Sequence, residues 1–423
     1  MSKVIRRRWV SGLDGQTRRD RRSCEYEAYV PDPLVGRVFT LDGAVAAEVA
    51  EAEASITRLD LEASALTGSE TLARILLRAE AVASSRIEGL EVGARRLLHA
   101  EAARSLEGPP SDVTASEVLA NIDAMAFGVD QVAAGDHLSL DLILEVHRRL
   151  LSGTHLDEFG GRFRKEQNWI GGSSYNPCSA AYVPPPPEYV ADLMEDLRAF
   201  CNEDGLPAVA QAAVAHAQFE TIHPFVDGNG RTGRALIHLV LRRRGLANRV
   251  LPPVSLVLAT WARDYITALE GVRYRGPVTC QDAHAGANRW IAQFAIACSR
   301  AVADAAAFEE RARLVEADWR ARLGSVRKNS AAHRLLQALP GAPVVTVTTA
   351  ASLIGRTFPA ANNAIQQLAS VGILQQVSIG RRNRAYEAPD IIAAFTALER
   401  QLASPEGDTL ASPPARRVPQ RRG

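Results

Sequence analysis

One short run constrains this chain more than any other. Residues 223–234 read His-Pro-Phe-Val-Asp-Gly-Asn-Gly-Arg-Thr-Gly-Arg, and an apolar stretch typical of a helix follows from Ala235 to Leu241. Small residues at the start of a helix leave backbone N–H groups free to bind an anion, and the helix dipole strengthens that attraction. Arginines beside such a turn can bind phosphate oxygens through charge-assisted hydrogen bonds. The run therefore predicts a phosphate-binding turn at the start of a helix.

Two side chains in this run have the chemistry that attack on phosphorus requires. A hydroxyl nucleophile needs a base, and His223 suits that role because the ordinary pKa of histidine is about 6.5. Asp227 is the carboxylate nearest the turn, and Mg²⁺ bound to phosphates usually takes one or two carboxylates. The alternative is structural: a polar surface loop between two core helices, in which His223 bonds a carbonyl at a helix end.

The run resembles the signature of the Fic family, His-x-Phe-x-Asp/Glu-Gly-Asn-Gly-Arg-x-x-Arg, at every specified position. The resemblance extends upstream through residues 215–222, which are similar to the helix before the Fic loop, and we expect it over about residues 30–300. It implies a mainly α fold: a Fic-type helical core with a short β-hairpin flap. It also implies transfer of a nucleotide monophosphate, most often AMP from ATP, to a Ser, Thr or Tyr hydroxyl of a target protein.

The resemblance implies a role for each position of the run. His223 becomes the catalytic base, Asp227 the Mg²⁺ ligand, and Phe225 the residue that anchors the loop in the core. The Doc branch, which phosphorylates, has Lys where this chain has Gly230, so the run favours nucleotidyl transfer. The run does not identify the donor base, and UTP, GTP or another diphosphate-containing donor stays open beside ATP. The implied nucleotide-binding residues are Gly228, Asn229, Gly230, Arg231 and Arg234.

A second motif lies far upstream. Residues 84–89 read Ser-Ser-Arg-Ile-Glu-Gly and resemble the inhibitory helix motif of Fic proteins, Ser/Thr-x-x-x-Glu-Gly/Asn. In that interpretation Glu88 pairs with Arg234 in place of phosphate, Ser84 steadies the carboxylate, and Gly89 lets the backbone come close to the nucleotide. The alternative is an exposed glutamate at a helix end, before a glycine that caps the helix.

Composition sets the broad class. The chain has 423 residues, which predicts two or three domains, and a net charge of +1, which gives no general signal for nucleic acid or a membrane. Five widely spaced cysteines favour neither a zinc site nor a disulfide framework. We identify no apolar run of membrane-spanning length and no apolar signal core. We expect a soluble cytoplasmic protein that does not bind membranes.

The helical periodicity and its interruptions predict the domain order. Residues 1–25 are expected to be unstructured, and residues 160–187 to form two short strands around a flexible tip, where Fic proteins carry a flap that aligns a target by β-augmentation. An ordinary loop is the alternative there. The predicted segments are an N-terminal helical region over 1–110 with the inhibitory helix at about 71–89, the catalytic core over 111–300, a connecting helix over 301–328, a winged helix over 329–402, and a disordered tail over 403–423.

The winged helix-turn-helix is predicted from two helices around Gly355 and a following hairpin with a basic tip. Its second helix, predicted over 359–370, contains four Asn and Gln residues but no Arg or Lys. Amides can bind adenine edges, yet contacts to phosphate dominate DNA affinity and need basic side chains. The helix composition therefore favours a role in protein interaction or dimer positioning. A homodimer and a DNA-binding regulator remain open, with DNA binding the less favoured.

Overall fold

The computed structural model of the protein describes residues 2–11, 17–65, 69–107, 112–379 and 383–402. Three sequence predictions lie outside these residues: the break at 108–111, the basic hairpin tip at 380–382, and the tail from 403 onward. The described residues form fifteen α-helices: α1 Gly43–Ala65, α2 Ser69–Ile87, α3 Ala94–Glu107, α4 Val113–Asp130, α5 Leu140–Leu151, α6 Val190–Cys201, α7 Ala208–Ile222, α8 Asn229–Arg243, α9 Val254–Thr260, α10 Ala262–Gly271, α11 Gln281–Leu323, α12 Ala331–Ala338, α13 Val347–Ile354, α14 Phe358–Ser370 and α15 Pro389–Leu402.

Two small antiparallel sheets accompany the helices. The strands are β1 Lys3–Trp9, β2 Cys24–Val30, β3 Val344–Val345, β4 Gln375–Ile379 and β5 Asn383–Glu387, in the orders β1-β2 and β3-β5-β4. The fold class predicted from the sequence is confirmed: a mainly helical protein with small sheets.

The N-terminal hairpin corrects the prediction that residues 1–25 are unstructured. The register of β1 and β2 places Arg6 opposite Glu27, and their side chains form an ion pair. Cross-strand pairs of opposite charge stabilise an antiparallel ladder, so this basic segment forms a strand although its charges are typical of a solvated arm. Cys24 at the start of β2 forms a disulfide with Cys178, so one cysteine pair is bonded where the sequence indicated no disulfide framework.

The contacts divide the chain into two units, each assembled from separate segments. Unit 1 comprises residues 1–54, 123–246 and 263–296. Its core is built around α7, where every residue except Glu220 is buried. Trp290 and Phe294 of α11 are fully buried in this unit, and the Trp290 indole donates to the carbonyl of Ala213 in α7 at 2.7 Å. The helix that precedes the His223 run is therefore a rigid central element.

Unit 2 comprises residues 55–122, 247–262 and 297–423. One of its cores joins Ile75 of α2, Leu256 of α9, Phe308 of α11 and Phe395 of α15. A second core lies within the winged helix formed by α12, β3, α13, α14, β4 and β5, with α15 following. Gly355 ends α13 in the left-handed conformation, which makes the turn between the two helices of the helix-turn-helix.

Two local features define helix boundaries in unit 1 and at its border. Ser139 caps α5, with its side chain accepting from the N–H of Leu142. The helical segment that begins at Val254 is interrupted at Trp261, which separates α9 from α10. Helix α3 and helix α15 were not predicted separately.

Among the described residues, α11 is long and apolar enough to cross a membrane by length and composition, with a window of mean hydropathy 1.3, although half of that window is buried inside the protein.

Candidate functional site

The predicted site lies in unit 1, on the loop that joins α7 to α8. Helix α7 ends at Ile222, helix α8 begins at Asn229, and both helices are almost entirely buried. The loop therefore has a fixed support on each side. The side chains of His223 and Asp227 are 20% and 51% exposed to solvent, respectively. The loop therefore places both side chains at the surface of the buried core.

His223 terminates α7 in a conformation that few side chains adopt. It has φ 49° and ψ 61°, in the left-handed region, and its backbone N–H bonds the carbonyl of Phe219 at 2.9 Å. A non-glycine residue in this region is uncommon, and the surrounding structure must compensate for its cost. The Nδ1 atom of His223 is buried and lies 4.0 Å from a carboxylate oxygen of Glu220. Nε2 is consequently the ring nitrogen best placed to accept a proton from outside.

The middle of the loop is clamped by an amide. Asn229 accepts from the Phe225 N–H at 2.8 Å and donates to the Phe225 carbonyl at 2.9 Å. Asn168 adds a second donor to the same carbonyl at 3.1 Å and a weaker one to the His223 carbonyl. The ring of Phe225 is fully buried, as expected of the residue that anchors the loop. The Asn229 side chain therefore fixes the shape of the loop.

His147 of α5 supports the loop from the side of the core, a role that sequence reasoning did not assign to it. Its ring stacks on Phe225, with centroids 3.6 Å apart and planes 6° apart. Nδ1 accepts from the Gly161 N–H at 3.0 Å, so the proton of the neutral ring is on Nε2, which donates to the Asp227 carbonyl at 3.0 Å. Burial lowers the pKa of His147 to about 4, so the ring stays neutral and keeps both bonds at neutral pH.

Arg164 binds the loop to the base of the flap. This buried arginine donates from Nε to the His223 carbonyl at 2.9 Å and from Nη2 to the Pro185 carbonyl at 2.5 Å. Its backbone N–H bonds the Pro224 carbonyl at 2.9 Å. Burial lowers its pKa to about 10, so the guanidinium remains charged at neutral pH. The Tyr182 hydroxyl adds a bond to the Thr221 carbonyl at 2.7 Å, so both sides of the flap are tied to the end of α7.

The start of α8 has the features of an anion site. Its first turn holds no acidic residue, and the N-cap residue Gly228 provides no side-chain hydrogen bond. Gly228 has φ +75°, a backbone conformation that favours glycine, and an added Cβ would also force the Leu150 side chain, whose Cδ2 would lie 2.9 Å away, to shift. Arg231 is buried and donates from Nη2 to Asp227 at 3.1 Å. Its Nε and Nη1 atoms are also buried and have no hydrogen-bond partner among the described residues.

The flap differs in detail from the prediction of two strands. Ile170 and Tyr182 form an isolated antiparallel bridge, and Ser173 and Asn176 form another, without a continuous ladder. The tip is attached to the N-terminal hairpin by the Cys24–Cys178 disulfide. The side chain of Trp9 also packs edge-on against Trp169, with centroids 5.2 Å apart. These links hold the tip against the hairpin.

The upstream motif lies in unit 2, at the end of α2. Ser84 is fully buried within the helix, whereas Glu88 is exposed just past its last residue. Gly89 has φ +83°, its N–H bonds the Arg86 carbonyl, and the next N–H bonds the Ser85 carbonyl. This is the Schellman arrangement that ends a helix. Gly89 thus has a structural role whether or not the motif is regulatory.

Four residues of the site were missed by sequence reasoning: His147, Arg164, Asn168 and Glu220. Only His147 carried a signal. It falls on the apolar face of α5 with Ile143, Val146 and Leu150, and a polar ring on such a face needs buried partners. By contrast, His216 is a packed core histidine, bonded to the Tyr265 hydroxyl at 2.8 Å.

Comparisons with known sequences and structures show what the chain is similar to. Residues 137–241 match the Fic/DOC family, and residues 46–130 match the Fic/DOC family N-terminal region. A crystal structure of a Fic family protein from Desulfovibrio desulfuricans has the same fold, with a TM-score of 0.51 and 22% identity, covering 83% of this chain and 97% of that one. The two matched regions together cover less than half of the chain.

Its relatives include protein adenylyltransferases. Protein adenylyltransferase fic-1 of Caenorhabditis elegans is 36% identical over 133 residues, which cover 31% of this chain and 23% of that protein. Protein adenylyltransferase Fic of Drosophila mojavensis is 39% identical over 120 residues, covering 27% of this chain and 22% of the relative. The matched region thus spans about a quarter of each relative, and the relationship is distant.

We predict that His147 makes the stability of the protein depend on pH. Its pKa is lowered from 6.5 to about 4 in the folded chain, so between these values the unfolded chain binds a proton that the folded chain does not. The stabilisation is complete above about pH 6.5 and is lost as the pH falls toward 4. Urea unfolding across this range should show the free energy of unfolding decreasing, with His147 contributing up to ~1.4 kcal/mol per pH unit.

The variant His147→Gln isolates this contribution, because its amide can still donate to the Asp227 carbonyl but does not titrate. It should be less stable than wild type at pH 7 and show a shallower loss between pH 6.5 and 4. The pKa of His216 is also lowered, to about 3, by burial and by the charge of Arg234. Its contribution to the pH dependence is the same in wild type and variant. An unchanged pH slope in the variant would refute the role of His147.

Proposed function

We propose that this protein is an adenylyltransferase that moves AMP from ATP onto a Ser, Thr or Tyr hydroxyl of a target protein. The observation that carries the proposal is Arg231: a buried guanidinium with two unpartnered donor nitrogens among the described residues, at the uncapped start of α8. Buried charged donors are costly unless an anion satisfies them. The fic-1 and Fic relatives are protein adenylyltransferases, which supports AMP as the transferred group.

In the proposed reaction the target hydroxyl attacks the α-phosphorus of ATP. An oxygen–phosphorus bond forms, the bond from the α-phosphorus to the bridging oxygen breaks, and pyrophosphate leaves. The proton of the hydroxyl passes to Nε2 of His223. The buried Nδ1, 4.0 Å from Glu220, faces a carboxylate that favours the protonated ring once it forms.

The phosphates would lie against the start of α8. The backbone N–H groups of Gly228 and Gly230 would hold the α-phosphate side, and Arg231 with Arg234 would hold the β- and γ-phosphates. Asn229 contributes by holding the turn in shape, since its amide is bonded to Phe225 on both sides. The loop is already fixed before nucleotide arrives, which reduces the ordering cost of binding.

Asp227 is the residue that would hold Mg²⁺. Its side chain is half-exposed beside the anion site, and one carboxylate with phosphate oxygens is a donor set that Mg²⁺ accepts. Bound there, the ion would offset charge between the phosphates. Asp227 already contacts Arg231 at 3.1 Å, so the carboxylate and the guanidinium are placed to bind neighbouring groups of one ligand.

The flap would align the target. The side chain of Ile170 is exposed, its backbone forms a bridge with Tyr182, and extended backbone there can pair with an extended target segment. Arg164 and Tyr182 would then transmit the position of the flap to the His223 loop. The target protein is not identified by these features.

Ser84, Glu88 and Gly89 are proposed to restrain the activity, on the resemblance of their motif to the Fic inhibitory helix. In this proposal Glu88 is the inhibitory carboxylate, because it occupies the position of the glutamate in that motif. Because Glu88 is exposed at a helix end, its replacement should leave the core of unit 2 intact.

We predict that His223 is required for transfer and not for nucleotide binding. His223→Ala and His223→Asn, made in a Glu88→Gly background, should lower the transfer rate by ~10²–10⁴-fold, the usual contribution of a general base. Asparagine tolerates the left-handed backbone of this position, so it separates lost chemistry from lost loop shape. Transfer is measured by mass spectrometry of the modified protein, and ATP binding by calorimetry.

The matched control is His155→Ala, which removes an exposed histidine of the same unit and should leave the rate unchanged. Asp227→Ala should lose both activity and its dependence on Mg²⁺. Normal transfer by the His223→Asn protein would eliminate His223 as the base.

We also predict that Glu88 sets the level of activity. Wild type should be nearly silent in vitro, and Glu88→Gly should raise AMP transfer by at least tenfold without increasing the free energy of unfolding. Glu91→Gly removes the same charge from another exposed position three residues later and should remain silent. Equal rates for wild type and Glu88→Gly, or activation by Glu91→Gly, would show that Glu88 has no specific inhibitory role.

A further inference from the structure

Most of the winged helix lies in a part of the chain without acidic residues. No Asp or Glu occurs between Asp318 and Glu387, although the chain contains 48 acidic residues. The basic residues of this stretch are Arg320, Arg322, Arg327, Lys328, Arg334, Arg356, Arg381, Arg382 and Arg384. The chain as a whole is nearly neutral, but this segment is strongly basic. A concentration of positive charge attracts a polyanion.

The acidic residues at the two ends of the stretch are paired, and at its start Asp318 accepts from Arg322 at 2.7 Å. Glu387 is buried and accepts from Arg95 at 2.7 Å and from His99 at 2.9 Å. Asp390 accepts from Arg322 at 2.6 Å and from the Trp319 indole at 2.8 Å. Neither carboxylate is available to oppose an approaching phosphate.

Helix α14 presents an exposed face of amides. Ile365 and Leu368 pack into the core of the winged helix, while Asn363 and Gln367 are exposed one turn apart. In the described part of the chain, these two side-chain amides make no hydrogen bond, whereas the neighbouring Gln366 donates to the Tyr386 hydroxyl at 3.2 Å. A helix of 13 residues is about 20 Å long and fits the major groove, where Asn and Gln bind adenine in bidentate fashion.

Basic side chains gather at the start of the same helix. Arg356 lies two residues before α14 and is exposed, and its Nη2 donates to the Asn329 carbonyl at 3.3 Å. That bond brings it beside Arg327 and Lys328, which are also exposed. Phe358, the first residue of α14, is 57% exposed and can contact a thymine methyl group. In helix-turn-helix proteins, the start of the second helix enters the groove and flanking residues bind the backbone.

We propose that the winged helix binds double-stranded DNA, with α14 in the major groove. Asn363 and Gln367 contact adenine edges, and Arg327, Lys328 and Arg356 contact phosphates. The composition of α14 alone favoured a protein partner. The charge of the whole segment and the basic group at the start of α14 favour DNA. This binding is separate from nucleotidyl transfer and does not depend on it.

The test uses the full chain and fluorescence anisotropy. A pool of random duplexes is first enriched on the protein at about 50 mM salt, and the selected duplex is compared with random duplex, with single-stranded DNA and with double-stranded RNA of the same sequence. A triple variant, Arg327→Ala/Lys328→Ala/Arg356→Ala, removes the proposed phosphate contacts. The matched control, Arg58→Ala/Arg311→Ala/Arg313→Ala, removes three arginines from α1 and α11. Circular dichroism confirms that each variant is folded.

The triple variant should weaken binding to every duplex at least tenfold and reduce the slope of log affinity against log salt by about 2–3, whereas the control should change neither. Asn363→Ala/Gln367→Ala should lower affinity for the selected duplex about tenfold and leave random duplex within twofold. The proposal is overturned if no duplex binds, if the two triple variants behave alike, if no adenine-containing site is enriched, or if RNA or single strands bind as tightly as duplex DNA.

Discussion

The site depends on the reciprocal hydrogen bonds between Asn229 and the backbone of Phe225. They close the six-residue loop between α7 and α8 and set the direction in which α8 starts. The Phe225 ring then stacks on His147, whose Nε2 donates to the Asp227 carbonyl, so one buried side chain supports the loop at two positions. Because these partners are buried, the hydrogen bonds are strong and costly to break. The uncapped helix start, His223 and Asp227 keep their places without a ligand.

A fixed loop explains how an unfavourable backbone can persist at His223. Its left-handed conformation is held by the Phe219 carbonyl behind it and by Arg164 on its own carbonyl. Arg164 also binds the flap at Pro185, so the segment proposed to receive the target and the proposed base share one positioning residue. The strain at His223 and the buried charge of Arg164 are both costs to stability. They lie where a preorganised site would need them.

Sequence reasoning recovered the parts of the molecule that depend on local patterns. The 3.6-residue periodicity located α1, α2, α5, α7 and α8, and the run at 223–234 located the loop. Sequence reasoning failed to predict contacts between residues that are far apart in the chain. The β1–β2 hairpin is stabilised by pairing of charges 21 residues apart in the chain, and Cys24 finds Cys178 across 154 residues. His147 reaches Asp227 across 80 residues. Neither periodicity nor motif spacing carries such information, because it arises only when the helices pack.

In the proposed reaction, the buried guanidinium of Arg231 and the start of α8 hold ATP for attack on its α-phosphorus. The most direct measurement compares ATP labelled in the α-phosphate with ATP labelled in the γ-phosphate, using the Glu88→Gly protein and its Arg231→Ala derivative. We expect that only the α label becomes covalently attached to protein, and that Arg231→Ala abolishes the attachment. Attachment of the γ label, or unchanged α labelling without Arg231, would contradict it.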